Sequence, residues 1–294
     1  MPITGLLIGR LAEHLSHHTG RSVRITRDVP VGGGSINDCY RLDTNEGPFF
    51  VKVDPADRVP SMFEAEADGL TRLRSTGAIR VPDVIGYGEE QHMSYLLLEH
   101  IEAGPKTTAF WEDLGGSLAR MHARTSELWG LERDNYIGSL TQVNTPHQRW
   151  DTFFTHCRLE PLVKMARDHQ RIGMGDVLRF ERFYMELADL FPTEPAALLH
   201  GDLWSGNVLC DAHGRPVLID PAVYFGHREM DIAMTRLFGG FEEAFYSAYA
   251  DEHPLEKGWE ERVEACNLYP MLVHVNLFGG GYTAQLHQAL KRYV

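Results

Sequence analysis

The sequence predicts an α+β chain of two parts, a β-rich first third and an α-rich remainder. Three observations carry this. Alternating apolar residues, broken by turn signals, recur between residues 23 and 101. Helical spacing of apolar residues takes over after Gly104-Pro105. Between them, residues 99–104 follow neither period and read as a hinge. The 294 residues therefore divide into 1–103 and 104–294, a length that suits one two-lobed enzyme.

The elements follow in order. Ile3, Leu7, Leu11 and Leu15 recur every four residues, the stripe of an amphipathic helix. The run is too short and too polar for a signal peptide or membrane span. Alternation begins at Val23 and Ile25 and reaches Val29 and Val31; a glycine run follows, then DCYRLDT and FFVKVD. Gly47-Pro48 marks the turn before the last of these, and Pro55 ends it, so the three runs predict a meander with glycines between its first two strands. Residues 62–73 carry helical spacing, and VPDVIGYG and SYLLLEHI read as two more strands. In the second part Leu114, Leu118 and Met121 mark a helix, and residues 150–167 and 174–190 two more. A short β-like island, VLC…GRPVLID, interrupts them, and the rest reads as helical to Val294.

Composition narrows the function classes. A formal net charge of -13 argues against nucleic acid, whose phosphates want a basic face. Cys39, Cys157, Cys210 and Cys266 form no C-x-x-C pair, which argues against a zinc ribbon or disulfide scaffold and for a reducing, cytoplasmic setting with no membrane contact. The fifteen histidines read as solvated or core residues, not as a metal centre.

Four signals carry chemistry. In HGDLWSGN, Asp202 precedes Asn207 by five residues, the spacing at which a kinase loop presents a base to the attacking hydroxyl and an amide oxygen to Mg²⁺. In VLIDP, a short apolar strand ends in Asp220, the usual presentation of a second metal carboxylate; Pro221 restricts the segment that follows. Lys52 stands inside an apolar strand, where burial demands a partner. A nucleotide phosphate and a helix carboxylate would supply it, with Glu66 favoured over Glu64. Gly32, Gly33, Gly34 and Ser35 lie between two strands, where backbone N–H groups can approach phosphates. Each signal alone has a blander reading, as a polar turn, a strand-end Asp, a snorkelling Lys or a flexible hairpin. Their order along one chain favours an ATP-dependent kinase of protein-kinase-like fold. That architecture would give the hinge residues Glu99 and Ile101 to adenine. Asp231, at a helix start, reads as a brace for the catalytic loop.

The segments GGGSIN, FEAEADGL, NTPHQRWDTFFTHCRL, LLHGDLWSGNVL, IDPAVYFGHREMDIAM, LFGGF and NLFGGGY resemble the fructosamine/ketosamine-3-kinase family over nearly the whole chain. That family sits with aminoglycoside phosphotransferases and choline kinases in the kinase-like superfamily. The resemblance implies ATP-dependent phosphorylation of the 3-hydroxyl of a ketosamine, free or protein-bound, and hence deglycation repair. It implies ATP and Mg²⁺ as cofactors. It assigns Lys52 and Glu66 to the phosphates, Asp202 to the base, Asn207 and Asp220 to Mg²⁺, and Trp204 to the substrate. Trp204 with the GHRE segment favours ketosamines over an aminoglycoside- or choline-like alcohol, the competing reading. Ser35 departs from the family, which carries Cys in a GGCIN version of the loop. A protein kinase is disfavoured because no Ala-Pro-Glu follows Asp220. Lys52, Asp202, Asn207 and Asp220 are all present, which argues against a catalytically dead nucleotide-binding module.

Overall fold

The computed structural model describes residues 3–32, 37–59 and 61–293. It has the two-lobed, protein-kinase-like architecture. Helix α1 (Gly5–Thr19) starts at Thr4, whose hydroxyl accepts from Leu7 N, and ends at Gly20 in the left-handed region. Strands β1 (Ile25–Pro30), β2 (Asp38–Thr44) and β3 (Gly47–Pro55) form the expected meander. Helix α2 (Met62–Ser75) follows, then β4 (Val84–Glu90) and β5 (Met93–Glu99), giving an antiparallel sheet ordered β1-β2-β3-β5-β4.

The pleat of β3 sorts its side chains. Val51 and Val53 join Leu7, Leu11 and Leu15 of α1 in one core. Phe50 and Lys52 face the other way, into the cleft between the lobes. That face of the sheet also receives α2, through Phe63, Leu70 and Leu73 against Leu96 and Leu98.

The second part is mostly helical. It holds α3 (Thr108–His122), α4 (Trp150–Phe153), α5 (Glu160–Asp168), α6 (Met174–Leu190), α7 (Glu229–Leu237), α8 (Glu243–Glu252), α9 (Trp259–Phe278) and α10 (Gly281–Leu290). Two expectations need correction. The helix predicted over 150–167 is interrupted by a π-helical turn, Phe154–Leu159, between α4 and α5. The region is also less uniformly helical than its spacing implied. Strands β6 (Thr125–Ser126), β9 (Ala196–Leu199) and β12 (Tyr224–Gly226) make a small sheet, and β7 (Asn135–Ile137) pairs with β8 (Leu140–Gln142). These strands are only two to four residues long, too short to show alternation. The predicted island is the hairpin of β10 (Val208–Cys210) and β11 (Pro216–Leu218).

Contacts across the hinge tie the two parts together. Gly104 N donates to Cys210 O at 2.8 Å, and Ala103 bridges to Asp211. Leu218 N donates to Arg80 O at 2.9 Å, so the hairpin is also pinned to the chain between α2 and β4.

Candidate active site

A cavity of about 630 Å³ lies between the lobes and collects residues from distant parts of the chain. Lys52 enters from β3 and is 5% exposed. Its Nζ donates to Glu66 Oε1 of α2 and to Asp220 Oδ1, both at 2.7 Å. Burial alone would pull the lysine down, but Asp220 and Glu66 together hold it well above its ordinary value, so it is a cation. Glu66 is the carboxylate that meets Lys52, whereas Glu64 faces outward to Arg133. A glycine makes that approach possible. One turn beyond Glu66, a Cβ on Gly69 would stand 3.3 Å from the Pro221 ring and 3.4 Å from Val223. Helix α2 therefore backs directly onto the segment after Asp220.

Asp202 follows β9 in the loop His200–Asn207. Asn207 Nδ2 donates to both Asp202 O and Asp202 Oδ2 at 2.9 Å. Burial, then the charge of Asp220, push the Asp202 carboxyl up to about 7, against the pull of the Asn207 amide. The loop backbone is braced from α7. Asp231 accepts from His200 N at 2.7 Å and Gly201 N at 2.9 Å, with His122 Nε2 at 3.2 Å from the same carboxylate. His200 Nε2 donates to Ile219 O at 2.9 Å while Nδ1 accepts from Asp202 N at 3.3 Å, which fixes one tautomer. Burial holds this imidazole below its ordinary value. His200 thus links the loop to the strand that leads to Asp220.

Asp220 has φ of 55°, a left-handed conformation for a non-glycine residue, and turns its carboxylate into the cavity with 43% of the side chain exposed. The donor set fits a hard cation. Asp220 retains an oxygen beyond its bond to Lys52, and both bonds of the Asn207 amide nitrogen to Asp202 leave Asn207 Oδ1 out. Among the described residues no cluster of three His, Cys, Asp or Glu is arranged for a metal.

At the hinge, the Glu99 side chain accepts from Arg80 at 2.6 Å and its N–H donates to Asp83 O at 2.9 Å. Glu99 itself lines the cavity. Ile101 lines the same wall. Gly33, Gly34 and Ser35 lie outside the described residues; Gly32 and Asn37 flank them at the cavity mouth. Trp204 is 36% exposed, with its indole laid over Gly206, where a Cβ would collide with the ring, and edge-on to Phe238 at 6.0 Å.

Sequence reasoning missed several wall residues. Asn135, Tyr136 and Gly138 of the β7–β8 hairpin line the cavity, as does Cys39, whose thiol burial pushes up to about 11. The Gly138-Ser139 turn was the one available signal for the hairpin. The GHRE segment, by contrast, is not at the cavity. Arg228 pairs with Glu194 at 2.8 and 2.6 Å, Glu229 pairs with Arg262 at 2.8 and 2.6 Å, and His227 is fully buried. Its residues hold α7 in the scaffold, so they do not select a substrate by contact.

A buried Lys-Glu pair on the sheet side, facing an Asp…Asn loop and a strand-end Asp across a hinged cleft, defines a small phosphotransferase of the protein-kinase-like class. Aminoglycoside phosphotransferase APH(4)-Ia shares that fold, with a TM-score of 0.59, coverage of 97% and 99% of the two chains, and 14% identity. The particular family is narrower. The fructosamine kinase family pattern matches residues 8–294, and the chain belongs to that family. A protein of Enterococcus faecium named as a probable ketoamine kinase is 42% identical over 269 residues, covering 90% of this chain and 94% of its own. The chloroplastic protein-ribulosamine 3-kinase of Arabidopsis thaliana is 39% identical over 284 residues, covering 94% and 85%. The solved structure of a Thermobifida fusca protein described as a fructosamine-3-kinase superposes with a TM-score of 0.86 at 36% identity, covering 95% and 96%.

Proposed function

We propose that this protein transfers the γ-phosphoryl group of ATP to the 3-hydroxyl of a ketosamine, as a step in deglycation. The observation that carries the reading is the convergence of Lys52, Glu66 and Asp220 with the Asp202–Asn207 pair in one cavity, in a chain of the fructosamine kinase family. The acceptor hydroxyl oxygen forms a bond to the γ-phosphorus as the bond to ADP breaks, and the hydroxyl proton passes to Asp202. A carboxyl poised near neutrality is suited to that proton. Lys52, held by Glu66, binds the phosphates. Gly33, Gly34 and Ser35, in the first lobe of residues 1–103, would bind the phosphates through backbone N–H groups. The carbonyl of Glu99 and the backbone of Ile101 hold adenine at the boundary with the second lobe, residues 104–294. Asn207 and Asp220 would hold Mg²⁺, which supplies charge neutralisation to the phosphates when bound. Trp204 offers an aromatic face to the sugar C–H groups and to the amine. The four cysteines are free thiols, which supports a reducing compartment such as the cytoplasm. No helix among the described residues is long and apolar enough to cross a membrane.

Incubation with ATP and a panel of ketosamines and aminoglycosides tests the reading. The expected result is ADP formation with ketosamines and a product heavier by one phosphate. ADP formation with aminoglycosides alone would overturn it.

A further inference from the structure

Arg158 is fully buried in the π-helical turn, and among the described residues no carboxylate pairs with it. A guanidinium in such a place must spend its donors on neutral acceptors. It donates to Cys157 O at 3.1 Å, to Val143 O, and to Asn144 Oδ1 at 2.7 Å. Its Cζ lies 3.9 Å from the Tyr224 ring centroid and 4.5 Å from that of Phe153.

A chain of side-chain amides runs from it to the cavity. Arginine only donates, so Asn144 must present its oxygen to Arg158 and its Nδ2 to Asn135 Oδ1, at 2.8 Å. Asn135 must then turn its own Nδ2 to Val223 O, at 2.8 Å. From the other side, Tyr269 of α9 donates to Gln142 Oε1 at 2.6 Å. That sends Gln142 Nε2 to Asn135 Oδ1 at 2.7 Å and Ala222 O at 3.0 Å. Every amide orientation follows from donors at the ends and backbone carbonyls at the middle. Remove the donor-only end and Asn144 Oδ1 loses its partner, so Asn144 is held only through its Nδ2, and the bond it makes to Asn135 loosens.

What the chain seats is one wall of the cavity: Asn135 and Tyr136 on β7, Gly138 at the hairpin turn, and Ala222 just beyond Asp220. This wall is tied to the segment after Asp220, while the hinge is tied to Cys210 and Asp211. Adenine at the hinge and phosphates at Lys52 leave this wall to the acceptor. On the reading of the site given above, we propose that Arg158 is a positioning residue for the phosphoryl acceptor, acting through Asn144, Asn135 and Gln142.

The test compares Arg158→Lys, which keeps a cation without the planar fork, with Tyr269→Phe, which removes one hydroxyl remote from the cavity. Steady-state kinetics use ATP and the ketosamine that the wild type turns over best, with hydrogen exchange followed at residues 135–142 and 222–224. The expected result is an acceptor KM raised about tenfold in Arg158→Lys and about threefold in Tyr269→Phe, of the order of one lost hydrogen bond. ATP KM should stay within about twofold, and exchange should quicken at both segments. If Arg158→Lys fails to fold, Tyr269→Phe decides. Equal rises in both KM values, or faster exchange with an unchanged acceptor KM, would overturn the proposal in favour of a scaffold role. A wild type inactive on every ketosamine would remove the proposed function instead. In that event unaltered exchange at 222–224 would separately overturn the amide chain.

Discussion

Asp231→Asn should destabilise the protein by about 3 kcal/mol without emptying any space. The carboxylate is 1% exposed and takes two backbone N–H groups of the His200–Asn207 loop and the His122 imidazole. Asparagine has the same shape, so no cavity contribution arises. It offers one acceptor oxygen in place of two and turns an N–H donor toward a group that is itself a donor. Hydrogen bonds to charged groups contribute about 1.5–3 kcal/mol, and a stranded buried donor costs about 1–3 kcal/mol. Partial relaxation of the loop brings the sum to the lower half of that range. For a chain of this size the melting temperature should fall by roughly 5 °C. The sign of the pH dependence follows from the shift. Burial would raise Asp231, but the bonds from His122 and Gly201 with the nearby His200 hold it below the usual carboxylate value. Its contribution is therefore complete above the unfolded pKa of about 3.9 and is lost as pH falls through the lower folded value. Denaturant melts of both proteins between neutral pH and acid measure this directly. The difference should be largest at pH 7 and narrow below about pH 4. A difference under about 0.5 kcal/mol at pH 7 would refute the claim that this carboxylate holds the loop.

The remaining expectations concern turnover and binding. Asp202→Asn should lower kcat by about 10²–10⁴-fold with ATP affinity nearly intact; turnover within a few-fold of wild type would remove Asp202 as the base. Asp220→Ala should weaken Mg²⁺-nucleotide binding more than Asn207→Ala, since a carboxylate contributes charge as well as geometry. Calorimetry would show it, and unchanged affinity in the Asp220 variant would take that residue out of the metal site. Trp204→Ala should raise the acceptor KM by about 3–30-fold, the scale of a cation–π contact of roughly 0.5–2 kcal/mol, with ATP KM unchanged. A melt that loses as much as a fully buried Trp would, about 3–5 kcal/mol, would show instead that the ring serves packing.

The sequence made the cleft legible because its chemistry is written in short local patterns. Asp202 and Asn207 lie in one loop, Asp220 ends one strand, and Lys52 breaks one apolar run. The small sheet of β6, β9 and β12 was not legible, because segments of two to four residues pair across 25 to 72 positions and carry no period of their own. The amide chain was hidden for a related reason. Asn135, Gln142 and Asn144 look like ordinary loop residues until the partners at Ala222, Val223 and Arg158 are known. The GHRE segment marks the family without touching the cavity. Arg228 and Glu229 each have an opposite charge waiting in the interior, which no local pattern announces.

The stretch after Asp220 has a bearing on inhibitor design. Ala222 N donates to His200 O at 2.8 Å, and the carbonyls of Ala222 and Val223 are each held by an amide side chain. Pro221 fixes the backbone between them and Asp220, and Gly69 of α2 closes over it from behind. A compound that works by prying this stretch away, to occupy the space behind it, would have to break all of these contacts. Compounds that fill the cleft as it stands, and that draw selectivity from Tyr136 and the Trp204 side, leave all of these contacts intact. Screening for this enzyme should accordingly favour bisubstrate and nucleotide-competitive scaffolds over those that rely on displacing the segment after Asp220.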